Sequence, residues 1–241
     1  MINIIKLFRK LIRKKLKIWH IGDTHGYHEL LKIPKNIDWV IHSGDFTNYY
    51  DIIKNEQEAL NFLHWYGELD IKIKILVAGN HDAYAFKLSK KFKEWCEFYN
   101  IIYLENDYII LEGLKVFGSP NTPAFGKWYF QKNRHKLDKH WSLVDDDVDI
   151  FITHGPPKGI MDVSEDYNRK LELCGDKALK NHILNRIKPK LCLFGHIHNY
   201  KDIINAGIRT IPNHDTVFSN GSVVTDRKFG SLSSNGNILE L

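Results

Sequence analysis

Cysteine is scarce and unpatterned in this chain. Its 241 residues include three, Cys96, Cys174 and Cys192, with no CxxC pair or zinc-ribbon spacing. That excludes a disulfide framework and fits a reducing, cytoplasmic compartment. Long apolar runs are also missing: no stretch reaches the roughly 18 residues that a membrane-spanning helix requires. Charges interrupt every apolar stretch near the N-terminus, so the apolar core of a signal peptide does not form. Internal repeats and low-complexity linkers are absent. Acidic residues are absent from positions 1–17, where seven basic ones gather: Lys6, Arg9, Lys10, Arg13, Lys14, Lys15 and Lys17. The net charge is +5, so the remainder carries −2 once these seven are set aside. A slightly acidic body argues against a stable nucleic-acid complex.

What is present reads as a basic arm, residues 1–16, followed by a single domain, residues 17–241. In the arm, Ile4, Leu7, Phe8, Leu11 and Ile12 follow helical spacing between basic residues. Such a pattern fits peripheral contact with an anionic membrane, or a helix docked on its own domain. Beyond it, five short apolar runs recur at 17–22, 38–44, 73–79, 148–153 and 191–195. Each suits a strand buried on both faces. Helical patterns at 51–69, 82–99 and 176–188 alternate with some of them, which implies parallel pairing and an α/β domain. A hairpin is expected at 108–120, and antiparallel strands at 202–205, 208–211, 216–219 and 237–241. The segment 119–135 reads as a long loop rich in proline, glycine and aromatic residues.

The five apolar runs share one ending: a small residue or threonine, then a metal-ligand type. The junctions are GDTHG (22–26), GD (44–45), GNHD (79–82), THGPP (153–157) and GHIH (195–198). In a parallel sheet the strand C-termini gather at one edge, where ligands bind. Asp23, His25, Asp45, Asn80, His81, Asp82, His154, His196 and His198 should therefore converge. This carboxylate, imidazole and amide set, without thiolate, suits manganese, iron or zinc. Seven ligands exceed the need of one tetrahedral ion; two ions sharing one carboxylate would use them all. Taken singly, the fragments have plainer readings. Asp82 fits a helix N-cap, HGPP fits a rigid turn, and the other eight histidines fit core or surface positions. If GHIH continues its strand in extended form, His196 and His198 point to one side and Ile197 turns toward the core.

Together the five junctions resemble the calcineurin-like metallophosphoesterases, from about residue 17 onward. HSGDFT (42–47), VFGSPNTPAFGKWYF (116–130) and FSNGS (218–222) are similar to the branch of small metallophosphoesterase-domain-containing phosphodiesterases. The resemblance implies a two-sheet β-sandwich flanked by helices. It also implies two divalent metal ions, one held by Asp23, His25, Asp45 and His198 and the other by Asp45, Asn80, His154 and His196. Asp45 would bridge them. Hydrolysis would proceed by attack of a hydroxide shared by the two ions on a small phosphodiester, including cyclic nucleotides. His81 would donate a proton to the leaving oxygen, Asn80 and His81 would contact substrate, and Asp82 would orient His81. The run FTNYY after Asp45 departs from the pattern of the protein Ser/Thr phosphatases, as does aspartate after Asn80-His81. In the aromatic loop, Phe125, Trp128 and Tyr129 are candidates for nucleobase stacking, and Arg134 and His135 for phosphate contact. Two competing readings stand: a membrane-associated pyrophosphatase of a lipid-linked nucleotide, and a non-catalytic scaffold on the same fold.

Overall fold

A computed structural model describes residues 15–165, 168–225 and 231–241. The basic arm through residue 14, with its amphipathic pattern and expected membrane contact, lies outside the described residues. Leu16 is within them and exchanges backbone hydrogen bonds of 2.9 and 3.0 Å with Leu241.

In chain order the first half contains β1 (Lys17–Ile21), β2 (Trp39–His42), α1 (Ile52–Gly67), β3 (Ile73–Leu76), α2 (Ala83–Lys87), α3 (Ser89–Phe98) and β4 (Ile102–Tyr103). The hairpin β5 (Asp107–Leu111) and β6 (Leu114–Ser119) follows, then the short pair β7 (Thr122–Pro123) and β8 (Gln131–Lys132), and α4 (Arg134–Trp141). The second half contains β9 (Ile150–Thr153), β10 (Val163–Glu165), β11 (Leu171–Leu173), α5 (Lys177–His182) and β12 (Leu191–Phe194). It ends with β13 (Gly207–Thr210), β14 (Val217–Asn220) and β15 (Asn237–Glu240).

Two sheets face each other. The first has the order β15-β1-β2-β3-β4 and the second β13-β14-β12-β9-β6-β5. β1 to β4 are parallel, as are β6, β9, β12 and β14, while β15, β13 and β5 run antiparallel at the edges. The alternation of each central strand explains the layering, because successive side chains point to opposite faces. Ile18, Trp39, Ile41, Ile75, Ile150, Ile152, Leu191 and Leu193 fill the space between the sheets. Trp19, Val40 and Leu76 face the other way, against Phe62, Tyr66 and Phe92 of the helices on that side. Phe151, Cys192 and Phe194 meet Leu137, Trp141 and Leu179 on the opposite flank. The fold is thus mixed α/β, two main sheets flanked by helices.

Helix α1 begins where Asp51 accepts a hydrogen bond from Lys54 N at 3.0 Å, which satisfies a free N–H of the first turn. It buries Ala59, Phe62, Leu63 and Tyr66, one stripe at helical spacing. The pattern over 82–99 forms two helices, because Leu88 leaves helical dihedrals. Residues 202–205 form no strand; Tyr200 and Ile203 make one isolated bridge. Strand β14 pairs parallel with β12 and antiparallel with β13, where antiparallel strands alone were expected. The hairpin of β10 and β11 and helix α4 have no counterpart in the sequence-based expectation. The two strands are three residues each and the helix is mostly polar, so they carry little periodic signal.

Candidate metal centre

The junctions after β1, β2, β3, β9 and β12 meet at one edge of the sandwich. Each strand must turn sharply there. Asp23, His25, Asp45 and His196 have φ of 51°, 43°, 57° and 69°, in the left-handed region that side chains disfavour. Such conformations cost about 1–3 kcal/mol each and persist only where the surroundings impose them. Glycines make the close approach feasible. A Cβ on Gly79 would meet the Asp45 carboxylate and His154 Cε1, and Gly44, at φ 104°, has no room because His154 Nδ1 and the Ala78 carbonyl lie against it.

Three groups of side chains come within metal-binding reach of one another: Asp23, His25 and His198; His25, Asp45 and His81; and Asp45, His154 and His196. Asp45 therefore lies between the His25 side and the His154 side. Asp45 Oδ2 is 3.2 Å from His154 Nε2 and 3.9 Å from His25 Nε2. Asp23 Oδ1 is 3.3 Å from His198 Nε2, and His198 Nε2 is 3.4 Å from His25 Nε2. Asn80 Oδ1 stands 3.0 Å from His154 Nε2.

Backbone carbonyls fix the imidazoles from behind. His154 Nδ1 is 2.9 Å from Ser43 O, and His25 Nδ1 is 3.0 Å from Thr47 O. A carbonyl only accepts, so each Nδ1 carries the hydrogen and each ring turns Nε2 into the site. At His154 that nitrogen faces the oxygens of Asp45 and Asn80. Two acceptors around one ring nitrogen call for a positive charge there, on a protonated ring or on a metal ion. The donor set thus fits divalent cations with nitrogen and oxygen ligands.

The charges of the site agree. Burial pushes Asp23 up, but its hydrogen bond to His198 and the charges of His198 and His154 outweigh that and hold it down at about 2. Burial acts likewise on Asp45, and the charges of His154 and His81 carry it well below the ordinary carboxylate range. Burial lowers His154, yet the Asp45 charge draws it up to about 9, so positive charge is favoured on this ring even at the cost of burial. His196 falls to about 3 through burial and the neighbouring His154.

The GHIH segment is not extended. The left-handed turn at His196, with Ile197 N donating to Gly195 O at 2.8 Å, sends the two histidines to different groups. Ile197 is buried at the floor of the cavity instead of turned into the sandwich core. His196 N also donates to both oxygens of Asp23.

Asp82 requires a correction. Its side chain makes no capping bond to α2, and its two oxygens are taken up elsewhere. One oxygen accepts from Gly79 N at 2.6 Å and Asp45 N at 2.9 Å, and the other from Thr47 N at 3.0 Å and Thr47 Oγ1 at 2.8 Å. It clamps the Asp45 turn to the Gly79 turn. Burial and the charge of Asp45 push Asp82 up to about 8, against the hydrogen bonds from Gly79 and Thr47.

Three supporting residues were not singled out from the sequence. Asn55, wholly buried on α1, donates to Thr47 Oγ1, Tyr49 O and His81 O and accepts from Tyr84 N. His42 Nδ1 accepts from Gly44 N at 3.1 Å and Nε2 meets Thr24 Oγ1 at 3.1 Å, which braces the turn before Asp45. Thr47 links Asp82 to the carbonyl of His81. A polar residue inside an otherwise apolar helical stripe, as at Asn55, is the signal that could have marked the first of these.

Beside the centre lies a cavity of about 630 Å³, lined in part by Phe125, Trp128, Arg134, Cys174 and Tyr200. Tyr129 is not in its lining and packs on Phe86 and Tyr50. Arg134 is committed to protein: its guanidinium donates to Gly175 O at 3.0 Å and Cys174 O at 2.9 Å. His135 is exposed and outside the lining.

A sandwich of this topology with carboxylate, imidazole and amide ligands at one strand edge defines a metallophosphoesterase. The calcineurin-like phosphoesterase family profile matches residues 16–200, and the chain belongs to that family. It is 33% identical over 217 residues to human metallophosphoesterase domain-containing protein 1, a match covering 80% of this chain and 64% of that protein's length. It is 30% identical to a UPF0046 protein of Caenorhabditis elegans, covering 87% of this chain and 78% of the relative. The fold is similar to a putative 5'-nucleotidase from Staphylococcus aureus, with a TM-score of 0.51 at 13% identity over 87% of this chain and 49% of that one. Another solved structure reaches a TM-score of 0.63 at 18% identity, over 86% of this chain and 90% of the other. No helix among the described residues is long and apolar enough to cross a membrane.

Proposed function

We propose that this chain hydrolyses small phosphodiesters, including cyclic nucleotides, at a pair of divalent cations. The observation that carries the reading is the meeting of His154 Nε2 with Asp45 Oδ2 and Asn80 Oδ1, three atoms of the kinds that ligate divalent cations. Asp23, His25, Asp45 and His198 would hold one ion, and Asp45, Asn80, His154 and His196 the other, with Asp45 shared. Two ions so held would supply a nucleophile from water near neutral pH and withdraw charge from the phosphate oxygens.

The protein's own residues do the rest. Ser43 O and Thr47 O keep the Nε2 atoms of His154 and His25 aimed inward. The Asp82 clamp and Asn55 hold the Asp45 and His81 turns at a fixed separation. Asn80 and His81 meet the phosphate, and the His81 ring transfers a proton to the leaving oxygen. Convergence of all seven candidate ligands favours an enzyme over a scaffold. The lipid-linked reading drew on the N-terminal arm, and no described residue favours it.

Hydrolysis of bis(p-nitrophenyl) phosphate with manganese tests the proposal. Turnover that chelator abolishes and manganese restores is expected. Absence of metal-dependent turnover would favour the scaffold.

A further inference from the structure

The His81 imidazole is held by no hydrogen bond to another side chain among the described residues, and its Nδ1 is buried without a partner. Its backbone is well fixed. The His81 N–H donates to Asp45 Oδ1 at 2.7 Å, and its carbonyl accepts from Thr47 Oγ1 at 3.0 Å and Asn55 Nδ2 at 2.9 Å. Those bonds settle where the residue sits, not how the ring turns. Asp82, the one carboxylate next in sequence, spends both oxygens on Gly79, Asp45 and Thr47.

Ring packing remains. His25 meets the His81 ring edge-on, with centroids 4.8 Å apart and planes at 81°. Trp128 covers its face, with centroids 4.2 Å apart and planes 30° from parallel. Trp128 is itself anchored. The next residue, Tyr129, donates its N–H to the carbonyl of Asn80 at 3.2 Å, tying the aromatic loop to the turn that carries Asn80 and His81. Phe130 is buried, its carbonyl accepting from Thr122 N and Asn121 Nδ2. Tyr50 packs against Trp128 at 6.2 Å.

We propose that Trp128 is a positioning residue: its indole, stacked on His81, fixes the plane of the imidazole so that the ring presents its proton to the leaving oxygen. The inference rests on the reading of His81 as proton donor. One face of the indole is occupied by His81, and through that face Trp128 acts on the ring.

The test compares two substrates with manganese. A nucleoside 2′,3′-cyclic phosphate expels an alkoxide that needs a proton; bis(p-nitrophenyl) phosphate expels an aryloxide that does not. Trp128→Ala should lower kcat for the cyclic phosphate about tenfold or more, within the range of general-acid catalysis, and leave the aryl ester within about threefold. KM should hold, and Trp128→Phe should recover most of the loss. In a His81→Ala background, Trp128→Ala should cost nothing further, because the two act as one unit. Equal losses on both substrates, no loss, or a KM defect that persists without His81 would overturn the inference; the last would assign Trp128 to substrate contact. NMR reads the stacking without turnover. Ring-current shifts should place the His81 ring protons upfield, and Trp128→Ala should move them downfield; unmoved resonances would refute the stacking. Loss of all metal-dependent turnover with the NMR shift intact would instead refute the phosphodiesterase reading, and His81's role with it.

Discussion

Asp82→Asn separates two accounts of one carboxylate. As a helix cap, asparagine serves as well as aspartate, and the change would cost a few tenths of a kcal/mol. As the clamp described above, it cannot be neutral. The carboxylate receives four donors, three of them backbone N–H groups, spread over both oxygens. An amide has one accepting oxygen. Turned to keep Gly79 N and Asp45 N, it puts its NH₂ against Thr47 N, leaving that buried N–H unpaired. At pH 9, where Asp82 is ionised, loss of a charge-assisted bond, about 1.5–3 kcal/mol, adds to about 1–3 kcal/mol for the stranded donor. The expected destabilisation there is about 2.5–6 kcal/mol, and the Asp45 turn should loosen with it. Urea unfolding with chelator present measures the first, and manganese titration calorimetry the second. A variant within about 0.5 kcal/mol of wild type, with unchanged metal affinity, would refute the clamp.

Three further outcomes follow from the same geometry. His20 and His42 are wholly buried, and burial pulls each down to about 3 against an unfolded value of 6.5; as pH falls below 6.5 the unfolded chain binds protons that the folded chain refuses. Stability should therefore fall by about 2 kcal/mol per histidine between pH 7 and 5, and the pH slope of urea unfolding should shrink in His20→Asn or His42→Asn; an unchanged slope would contradict neutral burial. Asn55→Ala strands the buried N–H of Tyr84 and takes one bond each from the carbonyls of His81 and Tyr49, so a loss of about 1–3 kcal/mol is expected in urea unfolding. Gly79→Ala drives a methyl into Asp45 and His154; calorimetry should find manganese affinity at least about tenfold weaker, and wild-type affinity would show that the turn can yield.

The central strands and their ligand-bearing ends were legible because burial on both faces leaves a dense apolar run with a sharp polar stop. Leu191–Phe194 followed by Gly195 and His196 is such a case. The partition of His196 and His198 was legible only through the family resemblance. Extended alternation would place both on one side, and the left-handed turn at His196 separates them. Asp82 was misread because an aspartate before a helix looks the same whether it caps that helix or clamps a turn 37 residues away. His42 and Asn55 stayed hidden because their partners are backbone atoms brought together only by the sheet, which no spacing reveals. The hairpin of β10 and β11, one wall of the cavity, has only three residues on each side, and the carbonyls just after it are bonded by Arg134 reaching across from α4.

The most direct test of the account is the number of metal ions per chain in wild type and in Asp45→Asn, counted by elemental analysis after manganese loading and gel filtration. Two per wild-type chain are expected, with loss of at least one ion and of phosphodiester turnover in Asp45→Asn. A wild-type chain that retains one ion or none under saturating manganese, or an Asp45→Asn variant that keeps both and remains active, would contradict a paired centre built on Asp45.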